Sequence, residues 1–252
     1  MKIQLWSDLH LEFNNDWGGR FLDTHGPAAE TLVLAGDITS AAFREPIDLV
    51  FASTSMRWKH VVYVPGNHEF FKTSLTEGWA NIRAAAQDRP NVHVLDNEGV
   101  TLDGVRFFGG TGWYPEISQH SLAPYEAERD RARRGMSDFR LIRDFEPAVY
   151  MSRKKLADSL YSTAENPDVV VTHHLPHGLC VLPKYIGDPQ NCFFVSDLDV
   201  ETVGAKLWLH GHTHDLVDVK IGDTRVLANP HGYKHERIGT PPWNSDFTVE
   251  VQ

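Results

Sequence analysis

The sequence predicts an α/β fold in which parallel strands present their carboxyl ends to one polar centre. Short continuous apolar runs such as Thr31–Ala35 and Asp168–Thr172 have the pattern of strands buried on both faces. Stretches of helical length stand between them, at Pro46–Trp58, Leu75–Gln87 and Met151–Thr163. Five apolar runs then stop in polar loops that begin at Asp8, Asp37, Asn67, His173 and His212. Ligands of α/β sheets bind outside the carboxyl ends of the strands, so these loops mark the candidate site.

The composition sets outer limits. A chain of 252 residues suits one large domain, and 1–252 is read as one, with a possible cap around 111–148. A chain of this size buries about three quarters of its unfolded surface and needs no staples. No run approaches the roughly 20 apolar residues that span a bilayer. Met1–Trp6 reads as a strand rather than a signal peptide, so a cytoplasmic protein is expected. Cys180 and Cys192 form no Cys-x-x-Cys pair, and two reduced thiols are the expectation. The net charge of −10 argues against a surface built to grip long nucleic acid.

Taken in order, Lys2–Trp6 is a first strand that runs into Ser7-Asp8-Leu9-His10. Asp8 and His10 flank one apolar residue and project to the same side of an extended loop. Residues 14–19 read as a flexible loop. Thr31–Ala35 ends in Gly36-Asp37, and His60–Val64 ends in Pro65-Gly66-Asn67-His68-Glu69. Val92–Leu95 is a further short strand, and Asp103-Gly104 turns a hairpin between Thr101 and Phe108. Gly109–Pro115 is a loop with two aromatics, Trp113 and Tyr114, read as packing under a cap. Arg129, Arg131, Arg133, Arg134, Arg140 and Arg143 stand among several acids, a mixed-charge solvated helix rather than a phosphate site. Ser196–Val203 is a candidate helix, and Ile221–Arg225 turns between two strands. Phe247–Val251 would add an edge strand.

The stretch Leu209-His210-Gly211-His212-Thr213-His214 delivers three imidazoles into one tight loop. Neutral imidazole is the commonest protein ligand for transition metals, and a glycine lets the backbone turn without crowding an ion. A lone Asp-x-His or a histidine cluster is weak evidence, but chance would scatter such residues over helix faces and strand interiors. Here all five clusters follow strands directly. Asp37 is the natural bridge, because a carboxylate has two oxygens to offer two ions. Paired metals clamp phosphoryl oxygens and generate hydroxide near neutral pH.

Asp8-Leu9-His10, Gly36-Asp37, Gly66-Asn67-His68-Glu69, His173 and Gly211-His212-Thr213-His214 together resemble the motif series of the calcineurin-like metallophosphoesterase superfamily. Their order and spacing match from about Lys2 to Gly232. The resemblance implies a four-layer α/β/β/α sandwich with two central mixed sheets. It also implies two divalent metal ions (manganese, iron or zinc) and hydrolysis of a phosphate ester by in-line attack of a metal-bound hydroxide. One ion would take Asp8, His10, Asp37 and His214, the other Asp37, Asn67, His173 and His212. His68 would be the catalytic acid that protonates the leaving oxygen or steadies its charge. His174 rivals His173, although the family ligand comes first after the strand. Glu69 would support its loop, and His210 would orient a ligand or end the strand.

The departures narrow the reading. Phosphoprotein phosphatases of this superfamily continue the Gly-Asp motif into Asp-Arg-Gly, whereas Gly36-Asp37 here runs into Ile38-Thr39-Ser40. Asn229-Pro230-His231-Gly232-Tyr233 resembles an Asn-Pro-Arg-Gly-Tyr stretch of small bacterial-type members. With His231 in place of Arg it reads as a structural turn. The expected partner is a small phosphate monoester or diester, with no membrane. A nuclease acting on nucleic acid is the alternative, and only Arg129–Arg143 could supply its basic groove. A non-catalytic scaffold, like the retromer subunit with this fold, would have reason to lose His68 or a ligand. Every position is intact here.

Overall fold

Alternation along the strands sorts the apolar residues onto opposite faces. The computed structural model describes residues 1–116, 126–162, 166–236 and 243–251, with the side chains of 126–129 left aside. Strands β1 (Lys2–Trp6), β2 (Thr31–Ala35), β3 (His60–Val64) and β4 (Val92–Val94) lie parallel. Strand β11 (Thr248–Glu250) joins β1 antiparallel, giving the order β11-β1-β2-β3-β4. The second sheet holds β5 (Glu98–Leu102), β6 (Val105–Gly109), β7 (Val169–Val171), β8 (Leu207–His210), β9 (Val217–Ile221) and β10 (Thr224–Ala228). Its order is β5-β6-β7-β8-β10-β9, parallel from β6 through β10, with an antiparallel strand at each edge.

Ile3, Leu5, Val33, Ala35, Val62 and Val64 point from the first sheet at Phe107, Val171, Leu209 and Leu227 of the second. The opposite faces receive helices. Leu32, Leu34 and Tyr63 pack on Ile47, Val50 and Phe51 of α2 (Arg44–Ser55) and on Ile82 of α3 (Leu75–Ala86). Val170, Trp208 and Val226 pack on Leu156 and Leu160 of α6 (Ala148–Ser162) and on Val203 of α7 (Val200–Val203). The result is a helix–sheet–sheet–helix sandwich, the α/β/β/α class. Leu34 is fully buried, and truncating such a residue to Ala typically costs about 2–5 kcal/mol.

Local differences from expectation have local causes. Asp16 accepts from the N–H groups of Gly18 and Arg20 and leads into the short helix α1 (Gly19–Thr24), which begins at the last residue of the expected loop. The helix expected over Ser196–Val203 shrinks to α7. Ser196 and Leu198 N–H pair with the Leu175 and Pro176 carbonyls, and Asp197 between them takes a left-handed φ of 58°, so that half is not helical. Trp113 and Tyr114 are buried against Phe145, as packing would have it. The segment with α4 (Glu126–Gly135) and α5 (Asp138–Leu141) lies beyond them, with 117–125 outside the described residues. No disulfide joins Cys180 and Cys192, and among the described residues no helix is long and apolar enough to cross a membrane.

Candidate metal centre

The loops after β1, β2, β3, β7 and β8 converge at one end of the two sheets. Their backbones are unusual: Asp8, His10, Asp37, His212 and His214 all have φ between 47° and 66°. Positive φ is uncommon outside glycine, and such strain gathers at functional sites. The loops hold each other there. His10 N–H donates to Asp37 O at 2.9 Å, Asp8 N–H to Gly36 O at 3.0 Å, and Gly211 N–H to His173 O at 3.0 Å. A Cβ on Gly66 would collide with Asp37 Oδ1, and one on Gly211 with Asp8 Oδ2. Close approach of backbone to carboxylate is what these two glycines permit.

Two clusters result, sharing Asp37. Asp8, His10, Asp37 and His214 present ligand-type atoms within 4.8 Å of one another, as do Asp37, His173 and His212. Asp37 Oδ1 accepts the His68 N–H at 2.9 Å. Its Oδ2 lies 3.8 Å from His10 Nε2 and 3.3 Å from His173 Nε2. One oxygen, rather than two, faces both clusters. Asn67 Oδ1 points to the second, 3.2 Å from His173 Nε2.

The imidazoles are held by their outer nitrogens. His10 Nδ1 meets Glu12 at 3.2 Å, His214 Nδ1 meets Glu236 at 2.7 Å, and His173 Nδ1 donates to Ala35 O at 2.9 Å. That pattern fixes the tautomer and turns each Nε2 inward, as it does in histidines that ligate metals. His10 Nε2 and His214 Nε2 then stand 3.0 Å apart. With both Nδ1 atoms donating outward, two lone pairs face each other unless a proton or a cation lies near both. Asp8 Oδ2 and His212 Nε2 are buried without a partner. Hard carboxylates and borderline imidazoles with unused lone pairs could hold divalent ions.

The electrostatics agree. Burial opposes charge on His214, yet its bonds to Asp8 and Glu236 push it up to about 10. Burial likewise opposes charge on His173, and Asp37 pushes it up to about 9. Burial would raise Asp37, but the His173 and His68 rings hold it well below the usual carboxylate range. His212 goes the other way, kept neutral by burial and by the neighbouring His174 and His173.

His68 closes one side. Its Nδ1 meets Glu12 at 3.0 Å and its Nε2 meets the Tyr233 hydroxyl at 2.9 Å. Burial disfavours the imidazolium, but Asp37 and Glu12 outweigh it and raise the His68 pKa. Glu69 staples the loops after β2 and β3 by accepting from the N–H groups of Asp37, Ile38 and Gly66 and from the Tyr63 hydroxyl. Burial and the nearby Asp37 push it up to about 8. His174 turns away from Asp37, with its Nδ1 3.3 Å from Thr111 O and its ring 5.0 Å from Trp113. His210 is buried beside its own loop, and His231 packs 5.0 Å from Trp243. Sequence reading passed over Glu12, Asp138, Tyr233 and Glu236. Of these, Glu12 stands two residues after His10 and Tyr233 ends the Asn229–Tyr233 stretch, whereas Asp138 and Glu236 stand beside no motif.

The family model for calcineurin-like phosphoesterases matches residues 1–216. The chain belongs to the calcineurin-like phosphoesterase family. Uncharacterized protein L509 of Acanthamoeba polyphaga mimivirus is 26% identical over an alignment of 269 residues, covering 94% of this chain and 93% of that protein. UPF0046 protein K07C11.7 of Caenorhabditis elegans is 26% identical over 255 residues, covering 96% and 73%. Among solved structures, the phosphopantetheinyl hydrolase PptH of Mycobacterium tuberculosis superposes with a TM-score of 0.74 at 18% identity, over 96% of this chain and 93% of that one. TT1561 of Thermus thermophilus gives 0.57 at 15% identity, over 91% and 88%. These likenesses show the shared fold. In this chain a cleft of about 470 Å³ opens over Asp37, Asn67, His68, His212 and His214, and runs out along Met136–Asp138 and 181–194.

Proposed function

We propose that this chain is a metal-dependent hydrolase of a small phosphate monoester or diester, using two divalent ions. Asp8, His10, Asp37 and His214 would hold one ion, and Asp37, Asn67, His173 and His212 the other. The observation that carries the reading is Asp37 Oδ2, one carboxylate oxygen directed at both clusters. Divalent ions held by these residues would activate water and draw charge from the phosphoryl oxygens. His68 is then placed to protonate the departing oxygen. Glu12 holds its Nδ1, so a proton carried on Nε2 faces the cleft, where the Tyr233 hydroxyl now takes the bond.

The cleft supports a small substrate over a polynucleotide. Lys184 is its one lysine or arginine among the described residues, and it pairs with Asp215 at 2.9 Å. Asp138, Asp188 and Glu236 line it as well. Two arginines of the 131–143 stretch are drawn off: Arg133 pairs with Glu146, and Arg143 with Glu77. The side chain of Arg129 lies outside the described residues.

The test compares leaving groups within one ester class. General acids contribute about 10²–10⁴ in rate, with Brønsted dependence on the group protonated. His68→Gln should slow alkyl esters far more than nitrophenyl esters at unchanged metal content. Equal losses would assign His68 an electrostatic role instead. Absence of metal-dependent turnover across a panel of esters with added manganese would end the hydrolase reading.

A further inference from the structure

Asn67 is the one amide of the proposed ligand set, and its side chain must be turned the right way round. An amide carries an oxygen on one side and an NH₂ on the other, and only the oxygen can approach a cation. In the structure Nδ2 donates to Asp138 Oδ1 at 2.9 Å, which leaves Asn67 Oδ1 facing His173 Nε2. An ionised carboxylate only accepts, so the reversed amide would set two acceptors face to face. Asp138 is 1% exposed, lines the cleft, and keeps its Oδ2 buried without a partner.

Asp138 comes from the segment over the site, and that segment is locked to the loop that carries Asn67. Lys72 N–H donates to Leu141 O at 2.7 Å, and Arg143 N–H returns to Thr73 O at 3.0 Å. The Asp144 carboxylate accepts from Leu75 and Thr76.

We infer that Asp138 is a positioning residue of the metal centre, which fixes the Asn67 amide with its oxygen toward the Asp37–His173–His212 cluster. The inference rests on the reading that Asn67 holds an ion there. It makes the covering segment a component of metal retention at one of the two sites. Groups behind a ligand typically carry about 10–100-fold in metal affinity.

The experiment strips the full-length chain of metal and titrates Mn²⁺, reading the affinity of each ion. Asp138→Leu should bind one ion about 10–100-fold more weakly and leave the other unchanged. The same change in an Asn67→Asp background meets no amide to orient and removes a like charge, so affinity there should hold or tighten. Should leucine disturb folding, the near-isosteric change keeps the test alive. Asp138→Asn still offers an acceptor, so binding should stay within about threefold of wild type, yet tighten about tenfold in the Asn67→Asp background. Loss in both backgrounds alike is what a merely structural role produces, and it overturns the inference. So does full affinity in Asp138→Leu while the wild type takes two ions. A wild-type chain that takes fewer than two ions overturns the ligand reading, and the inference with it.

Discussion

Metal uptake should expel about one proton per ion near pH 7, and the structure says which proton. In one cluster His214 is pushed up to about 10 by Asp8 and Glu236, against burial. In the other His173 is pushed up to about 9, mainly by Asp37 and again against burial. Asp8 and Asp37 are held below the usual range despite burial, by His214 in one case and His173 in the other, so neither has a proton to give. His212 is already neutral and Asn67 does not titrate. A metal ligand must be deprotonated, so uptake is paid for at His214 and at His173. At pH 7 that corresponds to roughly 3 kcal/mol for His173 and roughly 4 kcal/mol for His214. Apparent affinity at each site should therefore rise about tenfold per pH unit between pH 6 and 8. The same shifts act on the metal-free fold in the opposite sense. Folded pKa values above the ordinary 6.5 give stability that is complete below pH 6.5 and lost as pH rises through about 9 and 10. Calorimetric titration with manganese in buffers of different ionisation enthalpy counts the protons directly. Full loading with none released at pH 7 would refute the reasoning, since both rings would have to be neutral beforehand.

Asp37→Ala should empty both clusters while Asp8→Ala empties one, which bound metal per chain decides; near-full occupancy of both in Asp37→Ala counts against the bridge. His173→Ala should lose turnover and His174→Ala should keep it within a few-fold, because only the His173 ring faces Asp37 and Asn67. The opposite ranking of turnover numbers would show that the register is wrong. Glu69→Ala strips the acceptor from three backbone N–H groups and the Tyr63 hydroxyl, which at roughly 1 kcal/mol each should cost about 4 kcal/mol. Denaturant unfolding of the metal-free chain measures it, and a loss under about 1 kcal/mol would mean that water satisfies those groups.

What was legible in the sequence is what the sheets themselves dictate. Asp8, Asp37, Asn67, His173 and His212 each stand within a few residues of an apolar run, so the strand that buries its Val, Leu and Ile residues also aims its polar end. Five such ends at one edge of two sheets make a site without any fine geometry being known. The backbone conformation there was not legible: five residues of left-handed φ, none of them glycine, are imposed by neighbouring loops rather than preferred locally. The helix of residues 196–203 failed for a similar reason: pairing of Ser196 and Leu198 with the Leu175 and Pro176 carbonyls, about 20 residues away in the chain, goes with a left-handed Asp197 between them.

The groups behind the histidines and Asn67 were illegible for a deeper reason. A ligand must stand where a strand ends, but its supporting partner need only offer a hydrogen bond from whichever element passes by. Glu236 reaches His214 across 22 residues, and Asp138 reaches Asn67 across 71. Tyr233 sits in a stretch whose other members do structural work: Asn229 donates to Leu5 O and Asn244 O, and His231 packs on an indole. A reading that treats the stretch as a turn is therefore right about most of it and still loses the hydroxyl in front of His68. Each partner acts on a nitrogen or amide the sequence had already placed, and it decides which face of that group is turned inward. Which ion a histidine can take depends on the strand. Whether its lone pair points at the ion depends on Glu12, Glu236 and the Ala35 carbonyl, and only the folded chain brings those to the ring.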